Sequence, residues 1–576
     1  MESRSAHWEL YAPVSPEQIK RISSELSHLE LSPLLIQVLA NRGLLEPGDI
    51  DSFINPPDIS KFPDPALLTG MPAAVERISA AIQNHERIVV YGDFDADGVT
   101  STALLTIALR HFGADVEPYV PNRFTEGYGL NPNAVREIAS RGTRLLITVD
   151  CGISGRHEVA EAAHAGMDVV VTDHHFLPSD LPEAAACINP KQKVPGCECY
   201  EDLAGVGVAY QLVRALVKKM GKPPGLRNLD LLGLVAIGTV ADIVPLKGAN
   251  RSLVAQGLAA LPHHSLPGLR TMLEFAHVNL SSIDTERVGF TIGPRLNAAG
   301  RIDDAGIAYR LLMTADLREA RDLAQKLEAQ NRRRQALMNS VVDQAKERAR
   351  RLDDSVKLIV LSDPGWPSGI VGLVASRLAE EFGRPTLVIE EGVEDSRGSA
   401  RSGPHFSMIE ALTAHKDLLV KFGGHHAAAG FTIKTANIKE LNDRLCRLAS
   451  EQLEDHHLRP VHMADATITM ADVTDSTLDG INRFAPFGAG NSSPVFMAKD
   501  VRVINVFPMG DGGHLKLMLA DQGSSTRTPV EAIAFRTGHM LEAIKRKGRV
   551  DVLFQIERRE WKGNIHLQLK VKDLRA

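Results

Sequence analysis

The chain contains the stretch Tyr91-Gly-Asp-Phe-Asp-Ala-Asp-Gly98, in which three acidic residues follow the short apolar run Arg87–Tyr91. We expect that run to be a buried β-strand, because it is short and rich in β-branched residues. Three carboxylates this close together repel one another unless cations lie between them. Taken alone, the stretch also fits an Asp-rich turn without ions, so its meaning depends on the residues that follow.

Further acidic and imidazole side chains follow the next predicted strands. Asp150 ends the strand at 144–149, and Asp173-His174-His175 follows the strand at 168–172. Asp242 lies in an apolar segment, where a buried carboxylate normally requires a partner or a metal ion, although a helix-end cap is the alternative. Mg²⁺ and Mn²⁺ prefer carboxylate oxygens, and Mn²⁺ also accepts imidazole. The set predicts a two-metal phosphoesterase site at the carboxyl ends of the strands.

The histidine pair is weak evidence by itself, because His-His occurs four times in the chain and Asp-His-His twice. The first copy of Asp-His-His follows a predicted strand. The second copy, Asp455-His456-His457, lies in a polar connection, and we interpret it as unrelated to the metal site.

Around the acidic stretch, short apolar strands alternate with helices. This order predicts a mostly parallel, doubly wound α/β sheet. The strands are expected at 87–91, 115–120, 144–149 and 168–172, and the helices at 101–112, 133–141, 155–165, 203–220 and 231–239.

The rest of the chain changes pattern three times. Residues 1–75 mix short helical pieces with a Pro-rich segment, and about 316–352 has the pattern of one long, charged helix. A second α/β lobe follows, to about residue 453. Beyond about residue 465, five predicted strands with Gly- and Asp-containing turns favour a small β-barrel such as an OB-fold.

Composition indicates a cytoplasmic globular protein of several domains. The chain has 576 residues, no apolar run of about 18 or more, and no apolar core of a signal peptide at its start. Its five cysteines form neither an even framework nor paired C-x-x-C motifs, which fits a reducing compartment and argues against structural zinc.

Net charge does not by itself indicate nucleic-acid binding, since the chain carries −6. A basic stripe lies on the predicted long helix, and we interpret it as a solvated helix face. Its members are Arg332, Arg333, Arg334, Lys346, Arg348, Arg350 and Arg351.

Several Gly-rich turns carry arginine or histidine and could cradle an anion, although each also fits a structural turn. Arg295 and Asn297 lie in the segment 290–301, Arg401 in 398–402 and His425 in 422–430.

Together these blocks resemble the DHH/DHHA1 phosphoesterase superfamily, and within it the bacterial exonucleases specific for single-stranded DNA. The resemblance extends from about residue 30 to the end of the chain. Its most specific blocks are 93–101, 120–129, 148–152, 172–175, 293–301 and 423–425.

The resemblance implies roles for individual residues. The metal ligands would be Asp95, Asp97, Asp150, His174 and Asp242, with Asp150 bridging two ions. His175 would be a further catalytic residue near the metals or the scissile phosphate, and Asp93 adjoins this set. Substrate would contact Arg123, Arg295, Asn297, Ser399, Arg401, Gly424 and His425, with Ser399-Ala400-Arg401 holding the 5′ end.

The resemblance also implies an activity. Two divalent cations, Mn²⁺ or Mg²⁺, would support 5′ to 3′ hydrolysis of single-stranded DNA to 5′-mononucleotides, in DNA recombination and repair. Implied partners are single-stranded DNA, single-stranded-DNA-binding protein and a RecQ-type helicase, with no membrane, and the protein is expected to be a monomer.

By the same resemblance, five segments are expected. They are an N-terminal arm (1–75), a DHH domain (76–262), a connecting region with the long helix (263–352), a DHHA1 domain (353–464) and an OB-fold domain (465–576). An OB-fold binds single strands by base stacking, and aromatic candidates here are Phe507, Phe535 and Trp561, for which we favour core positions.

Two other activities are weighed against this one. A phosphodiesterase of the same superfamily acting on cyclic dinucleotides or short oligoribonucleotides, or pyrophosphatase chemistry, would leave the long helix and the β domain without a use. A non-catalytic scaffold, like the eukaryotic replication-helicase subunit of this fold, would not need the complete acidic and histidine set.

Overall fold

The computed structural model describes residues 6–123, 125–302, 304–523, 529–561 and 564–576, with the backbone alone at positions 302, 560, 561, 564 and 565. The chain folds into two units. Unit I comprises residues 51–333 and 484–493, and unit II comprises the described residues up to 50 together with 334–483 and 494–576. Among the described residues, no helix has both the length and the apolar character needed to span a membrane.

The first part of the chain is mostly helical and contains six short strands, of which β2 to β6 form one sheet. Its elements are β1 (His7–Leu10), α1 (Pro16–Glu25), α2 (Pro33–Ala40), α3 (Pro47–Ile54), α4 (Met71–Gln83), β2 (Ile88–Tyr91), α5 (Ala96–His111), β3 (Val116–Tyr119), α6 (Pro132–Ser140), β4 (Leu145–Val149), α7 (Arg156–His164), β5 (Asp168–Thr172), β6 (Ala186–Ile188), α8 (Gly205–Met220), α9 (Asn228–Ala241), α10 (Gly248–Ala260), α11 (Pro267–Phe275), α12 (Thr285–Arg287), a π-helical turn (Val288–Ile292), α13 (Gly293–Ile302), α14 (Gly306–Met313) and α15 (Leu317–Arg350).

The second part contains most of the β structure. Its elements are β7 (Ile359–Asp363), α16 (Ser368–Phe382), β8 (Thr386–Glu390), β9 (Asp395–Arg401), α17 (Met408–Ala414), β10 (Leu419–Gly424), β11 (Ala428–Lys434), α18 (Ile438–Gln452), β12 (Val461–Ala464), β13 (Ala466–Thr467), α19 (Asp475–Asn482), β14 (Phe496–Met509), β15 (His514–Ala520), β16 (Val530–Ala534), α20 (Leu541–Lys547), β17 (Arg549–Trp561) and β18 (Asn564–Arg575).

Unit I is built on a parallel sheet with strand order β3-β2-β4-β5-β6. Alternate residues of β2 contribute to two separate cores: Ile88 and Val90 pack with α5 and α8, whereas Val89 and Tyr91 pack with α6 and α7. The sequence of a strand that is buried on both faces is a continuous apolar run, and such runs predict β2 and β4. The predicted doubly wound sheet is confirmed.

The strand order shows where this sheet can bind a ligand. The chain leaves β2 for β3 on one side and then crosses to β4 on the other, so a crevice opens between the carboxyl ends of β2 and β4. Open α/β sheets bind ligands at such a reversal point. The acidic stretch follows β2 and Asp150 follows β4, so both enter the same crevice.

Two local features of unit I differ from the sequence-based expectation. α5 begins at Ala96 rather than near residue 101, because the Asp95 side chain caps the helix. The run between His175 and Asp242 contains the short strand β6, which pairs with β5 and adds a fifth strand to the sheet. Three residues are too few to give a periodic signal, so β6 was missed.

Residues 484–493 belong to unit I although they come after most of unit II in the chain. The buried Arg251 of α10 holds this segment: its guanidinium donates to the carbonyls of Phe484, Ala485 and Pro486, and also to that of Phe53. The guanidinium also lies 3.7 Å above the Phe53 ring. A buried charge with this many acceptors fixes the backbone of the segment, and the fully buried side chain of Phe484 adds apolar packing.

Unit II contains a mixed sheet and a barrel. The sheet has the order β10-β11-β9-β8-β7, and the barrel strands β14-β15-β16-β18-β17 close through pairing of β14 with β17. The expected small barrel is therefore confirmed. The N-terminal strand β1 pairs in parallel with β12, so the N-terminal residues are tied into unit II.

The long helix is confirmed as the single element α15. Its apolar positions Ala320, Leu323 and Leu327 belong to the core of unit I, whereas Val341 and Ala345 belong to a core of unit II. Its basic residues are largely paired with acids: Arg332 with Glu328, Lys346 and Arg350 with Glu381, Arg348 with Asp363, and Arg351 with Glu347. These pairs support the interpretation as a solvated helix face for their members, whereas it is wrong for Arg334, which is buried with 8% of its surface exposed.

The core positions favoured for the barrel aromatics are wrong where the structure describes the side chains. Phe507 is 49% exposed and Phe535 is 55% exposed. The ring of His514 lies edge-on to Phe535 at 5.3 Å. The Trp561 side chain lies outside the described residues.

Replacing Arg251 by leucine should destabilise unit I, because four carbonyls lose a charged donor. We expect a loss of about 3 kcal/mol, or roughly 6 °C in the Tm of the unit I transition. Differential scanning calorimetry checks this, with the exposed Arg110→Leu as the control, expected within about 0.5 kcal/mol of wild type. Equal Tm values for the two variants would contradict the assignment.

Candidate metal centre

The acidic stretch after β2 turns directly into α5. Oδ1 of Asp95 accepts hydrogen bonds from the backbone N–H groups of Asp97 at 2.9 Å and Gly98 at 3.1 Å. This cap leaves the second carboxylate oxygen of Asp95 available. It also places Asp97 in the first helical turn, with only 1% of its surface exposed.

The carboxylate of Asp97 is fixed by the start of α8. Its Oδ2 accepts from the Gly205 N–H at 2.7 Å and its Oδ1 from the Val206 N–H at 3.0 Å. Unpaired N–H groups at a helix N-terminus favour a negative charge. These bonds therefore orient Asp97 and align α8 with the carboxyl edge of the sheet.

Asp150 leaves β4 in the left-handed backbone region, with φ 61°, and its side chain is buried. Aspartate tolerates this conformation better than most residues. The side chain lies against Gly205, where a Cβ would come within 2.6 Å of the Asp150 Cβ. Only glycine leaves room there, so α8 and the end of β4 approach each other closely.

His174 brings the remaining groups together. Its Nε2 lies 3.1 Å from Asp150 Oδ1, 3.5 Å from Asp242 Oδ2 and 3.9 Å from Asp97 Oδ2. Among the described residues, the buried atoms without a hydrogen-bond partner include His174 Nε2, Asp150 Oδ1, Asp242 Oδ2 and Asp93 Oδ1. Buried polar atoms are rarely left unpaired. A cation bound between these facing atoms would satisfy all of them.

These residues form three overlapping groups whose ligand atoms lie within 4.8 Å of one another: Asp97 with His174 and Asp242, Asp93 with Asp95 and Asp150, and Asp150 with His174 and His175. The structure thus brings together every predicted ligand, and Asp93 with them. Within the described part of the chain, all such groups lie in unit I, which agrees with the interpretation of Asp455-His456-His457 as unrelated.

Ionisation in this cluster reflects burial and mutual repulsion. Burial, reinforced by the neighbouring carboxylates, raises the pKa of Asp97 to about 7 and that of Asp242 to about 9. The same causes raise the pKa of Asp93 and of Asp150 well above the ordinary range. Burial lowers the pKa of His174 to about 3, which keeps its imidazole neutral and able to ligate. A divalent cation would offset the repulsion between the carboxylates, lower their pKa values and so release their protons.

Asp173 has a different task from the other acids. Its Oδ1 accepts from the backbone N–H groups of His174 and His175 and lies 2.7 Å from His175 Nδ1, while its Oδ2 accepts from the Ile153 N–H. Burial opposes ionisation of Asp173, but its hydrogen bonds, chiefly with His175, leave its pKa lowered. Burial likewise disfavours protonated His175, yet the bond to Asp173 leaves the pKa of His175 raised. Asp173 therefore orients His175.

Sequence reasoning did not single out two residues around this histidine pair. The Tyr128 hydroxyl lies 3.1 Å from His175 Nε2, and the two rings meet edge-on at 5.6 Å. Lys191 donates to the His174 carbonyl and lies 5.4 Å above the ring of Phe176. Both contacts are formed only by the tertiary fold, and no sequence pattern connects their members.

The predicted substrate residues of unit I have protein contacts. The Arg123 guanidinium lies 5.1 Å above the Phe94 ring, and burial lowers its pKa although Asp93 and Asp95 oppose that effect. Asn297 accepts from the Ala96 N–H at 2.8 Å and so ties α13 to the acidic stretch. Arg295 donates to Glu328 Oε2 at 2.8 Å and to the Thr291 carbonyl at 2.7 Å.

The predicted substrate residues of unit II lie on adjoining strands. In the sheet, Ser399 pairs with Gly430, Arg401 with Ala428, and Gly424 with Ala429, beside the turn that carries His425. Ser399 Oγ and Arg401 Nη2 both lie 3.3 Å from the place that a Cβ on Gly372 would occupy. Because Gly372 has no side chain, the Ser399 hydroxyl and the Arg401 guanidinium face an open position. Burial lowers the pKa of Arg401. This arrangement suits an anion.

Three family models match the chain: the DHH family, N-terminal domain, at residues 87–239, the DHHA1 domain at 355–451, and the RecJ OB domain at 464–573.

Relatives and solved structures agree over the full length. The chain is 36% identical to the single-stranded-DNA-specific exonuclease RecJ of Bacillus subtilis, over 100% of this chain and 71% of that protein. It is 34% identical to RecJ of Escherichia coli over 95% and 96% of the two chains. The crystal structure of Thermus thermophilus RecJ with Mn²⁺ matches with a TM-score of 0.85 at 30% identity, covering 99% of this chain and 79% of that one.

Substitution of Gly205 by alanine should disturb the metal centre, because the new Cβ would lie within 3 Å of Asp150. We expect Mn²⁺ affinity to fall about tenfold or more, measured by isothermal titration calorimetry. The matched control is Gly48→Ala, where nothing lies within 4 Å of the new Cβ, and its affinity should equal that of wild type. Wild-type affinity in Gly205→Ala would contradict the close approach of α8 and Asp150.

Stability of the metal-free protein should fall as pH rises. The folded-state pKa values of Asp97, about 7, and Asp242, about 9, lie above the ordinary aspartate pKa of 3.8. The folded state thus holds protons that the unfolded state releases, and this contribution is lost as pH rises through 7 and 9. We expect Tm to fall by about 5 °C or more between pH 6 and pH 9 in EDTA, and by less than half as much with Mg²⁺.

The Asp242→Asn variant provides the control for this pH series. It removes the carboxyl that titrates at about 9, so the fall in Tm between pH 8 and pH 9 should become smaller in EDTA. A metal-free wild-type protein whose Tm rises over the same range would contradict the buried, repelling cluster.

Proposed function

The chain belongs to the RecJ family of single-stranded-DNA-specific exonucleases, and on that premise we propose how its residues carry out the reaction. The protein is a metal-dependent 5′-3′ exonuclease that hydrolyses single-stranded DNA to 5′-mononucleotides and acts in DNA recombination and repair. The observation that supports this most directly is the set of buried, mutually facing ligand atoms at the switch point of the sheet.

The donor set fits two divalent cations, Mn²⁺ or Mg²⁺. Carboxylates dominate, one neutral imidazole is present, and cysteine sulfur is absent from the groups described, as hard cations require. Asp97, His174 and Asp242 would hold one ion and Asp95 the other, with Asp150 shared between them and Asp93 close to the second. When bound, such a pair lowers the pKa of water and neutralises charge on the attacking and leaving oxygens.

His175 supplies a proton next to the ions. Asp173 accepts a hydrogen bond from Nδ1–H and favours the protonated ring, so Nε2–H is the donor for the phosphate or for the departing 3′ oxygen. The Tyr128 hydroxyl lies 3.1 Å from the same Nε2 and restrains the ring until substrate binds. Arg123, held over Phe94, contributes positive charge toward the same acids and the phosphate between them.

Ser399 and Arg401 recognise the 5′-terminal phosphate. Arg401 is half-buried, donates to the Ala400 carbonyl and has no carboxylate partner among the described residues, so its guanidinium can pair with an incoming anion. Gly424 and His425 extend the same surface. Arg295 and Asn297 stay predictions as substrate contacts, and the bond from Ala96 to Asn297 supports an additional positioning role.

Single-stranded DNA is the substrate, and the further associations are part of the proposal. Contact with single-stranded-DNA-binding protein and a RecQ-type helicase, a monomeric state and a cytoplasmic location follow from the family. Five free cysteines support a reducing compartment.

The function is tested with purified protein, Mn²⁺ and internally labelled single-stranded DNA blocked at the 5′ or the 3′ end, beside blunt duplex. A 5′ block should abolish degradation, a 3′ block should not, and duplex should persist. Asp150→Ala should lose at least about 10³-fold in kcat, because the ion-binding charge is lost. His174→Ala should behave similarly, whereas His456→Ala, in the second Asp-His-His copy, should keep wild-type activity.

Other outcomes would assign a different function. Intact DNA together with hydrolysis of short oligoribonucleotides or cyclic dinucleotides would indicate a small-substrate phosphodiesterase. Absence of hydrolysis of every substrate would indicate a scaffold. Equal losses in His174→Ala and His456→Ala would contradict the assigned metal centre.

A further inference from the structure

Ile243, which directly follows Asp242, combines an exposed side chain with a left-handed backbone. Its φ is 62°, and 74% of the residue is exposed. A β-branched residue rarely adopts this region, because its Cβ substituents clash with the backbone. Helices that end in a left-handed residue use glycine or asparagine there in most cases. Neither folding of the turn nor burial therefore explains an isoleucine at this position.

The neighbours of Ile243 show that its exposure is local. Val240, Ala241 and Val244 pack against the core of unit I, whereas Ile243 is absent from that core. An apolar side chain in water contributes nothing to folding by burial. The strained backbone and the exposed side chain thus both act against stability, and strain of this kind persists at functional sites.

Hydrogen bonds on both sides of Ile243 hold the backbone in place. Asp242 N–H donates to the Gly238 carbonyl at 2.9 Å and Ile243 N–H to the Val240 carbonyl at 3.3 Å. Beyond Ile243, Leu246 N–H donates to the Ala489 carbonyl at 2.8 Å. The backbone conformation of Ile243 is therefore fixed from both directions, directly after the metal ligand Asp242.

A second exposed apolar residue lies on an element packed against the same helix end. Phe290 is 80% exposed, on the π-helical turn. That turn packs on the end of α9, because a Cβ at Gly289 would lie 3.7 Å from Val240 and one at Gly293 would lie 3.1 Å from Ala241. π-helical turns frequently mark functional sites. The end of α9 thus carries exposed apolar surface as well as a metal ligand.

We propose that Ile243 is a substrate-contacting residue that packs against the nucleobase next to the scissile phosphate. This inference rests on the proposed function. A branched aliphatic side chain offers no hydrogen bond to a phosphate or a sugar, but it fits the apolar face that every base presents. Contact by packing does not depend on base identity, which suits an enzyme that degrades strands of any sequence. The strained backbone orients the Ile243 side chain toward the base. The packing energy between side chain and base is gained only when DNA is bound.

The test compares Ile243→Gly with wild type on two substrates in single-turnover assays. The first is a 5′-phosphorylated oligonucleotide, and the second is the same strand with abasic residues at its first two positions. On the first, we expect Ile243→Gly to lose about tenfold in kcat/KM while its Tm is not lowered, because strain is relieved. On the second, the variant and wild type should be equal, because no base is present to contact.

Three further variants serve as checks. Ile243→Asn should reproduce Ile243→Gly, since asparagine also tolerates positive φ, and Ile243→Val should retain activity within about threefold of wild type. The matched backbone control is His277→Gly, an exposed residue of unit I with φ 52°, whose Tm should likewise not be lowered and whose activity should be unchanged.

Two results would overturn the proposal. In the first, Ile243→Gly stays within twofold of wild type on normal DNA. In the second, it loses the same factor on the abasic strand, which would show that Ile243 acts by holding Asp242 instead of contacting a base. A wild-type protein that degrades neither strand would overturn the proposed function itself, and this result is distinguishable from both.

Discussion

Repulsion among buried carboxylates is the constraint on which the rest of unit I depends. Asp93, Asp97 and Asp150 are almost fully buried, and Asp242 lies close to them. Such a cluster is stable only if protons or cations neutralise its charge and if backbone N–H groups hold the carboxylates in place. The parallel sheet meets the second condition, because it brings the ends of β2, β4 and β5 and the start of α8 to one edge. The parallel sheet and the requirements of cation binding thus both favour carboxylates gathered at one edge of the sheet.

The cluster also separates residues that bind from residues that orient. Asp173 is as buried as its neighbours, yet its hydrogen bonds with His174, His175 and Ile153 satisfy both of its oxygens. Among the described residues, Asp150 and Asp242 each keep an oxygen without a hydrogen-bond partner, which indicates ligation. Asp97 differs, because both of its oxygens accept from α8, and its place in the ligand set rests on its proximity to His174 and Asp242. Asn297, which accepts from the Ala96 N–H, likewise differs from Arg401, whose guanidinium has no acidic partner within the described ranges.

Much of this was predictable because the informative residues follow apolar strands. A strand buried on both faces reads as a continuous apolar run, so β2, β4 and β5 and the acids after them could be located from the sequence. The start of α5 was missed because a side-chain cap decided it. The pairing that forms β6 and the contact between Tyr128 and His175 depend on tertiary structure. The backbone of Ile243 was beyond prediction, because isoleucine is among the residues least expected at positive φ.

The segment Phe484–Ser493 has a consequence for how the protein is made. On the ribosome, residues 51–333 emerge well before their partner segment, whose synthesis is complete only about 160 residues later. At ordinary translation rates this is a delay of roughly 10–30 s. During that time Arg251 has no access to three of its carbonyl acceptors, and the first unit remains incomplete while the second is being synthesised. During this period the incomplete unit I is a transient substrate for a chaperone.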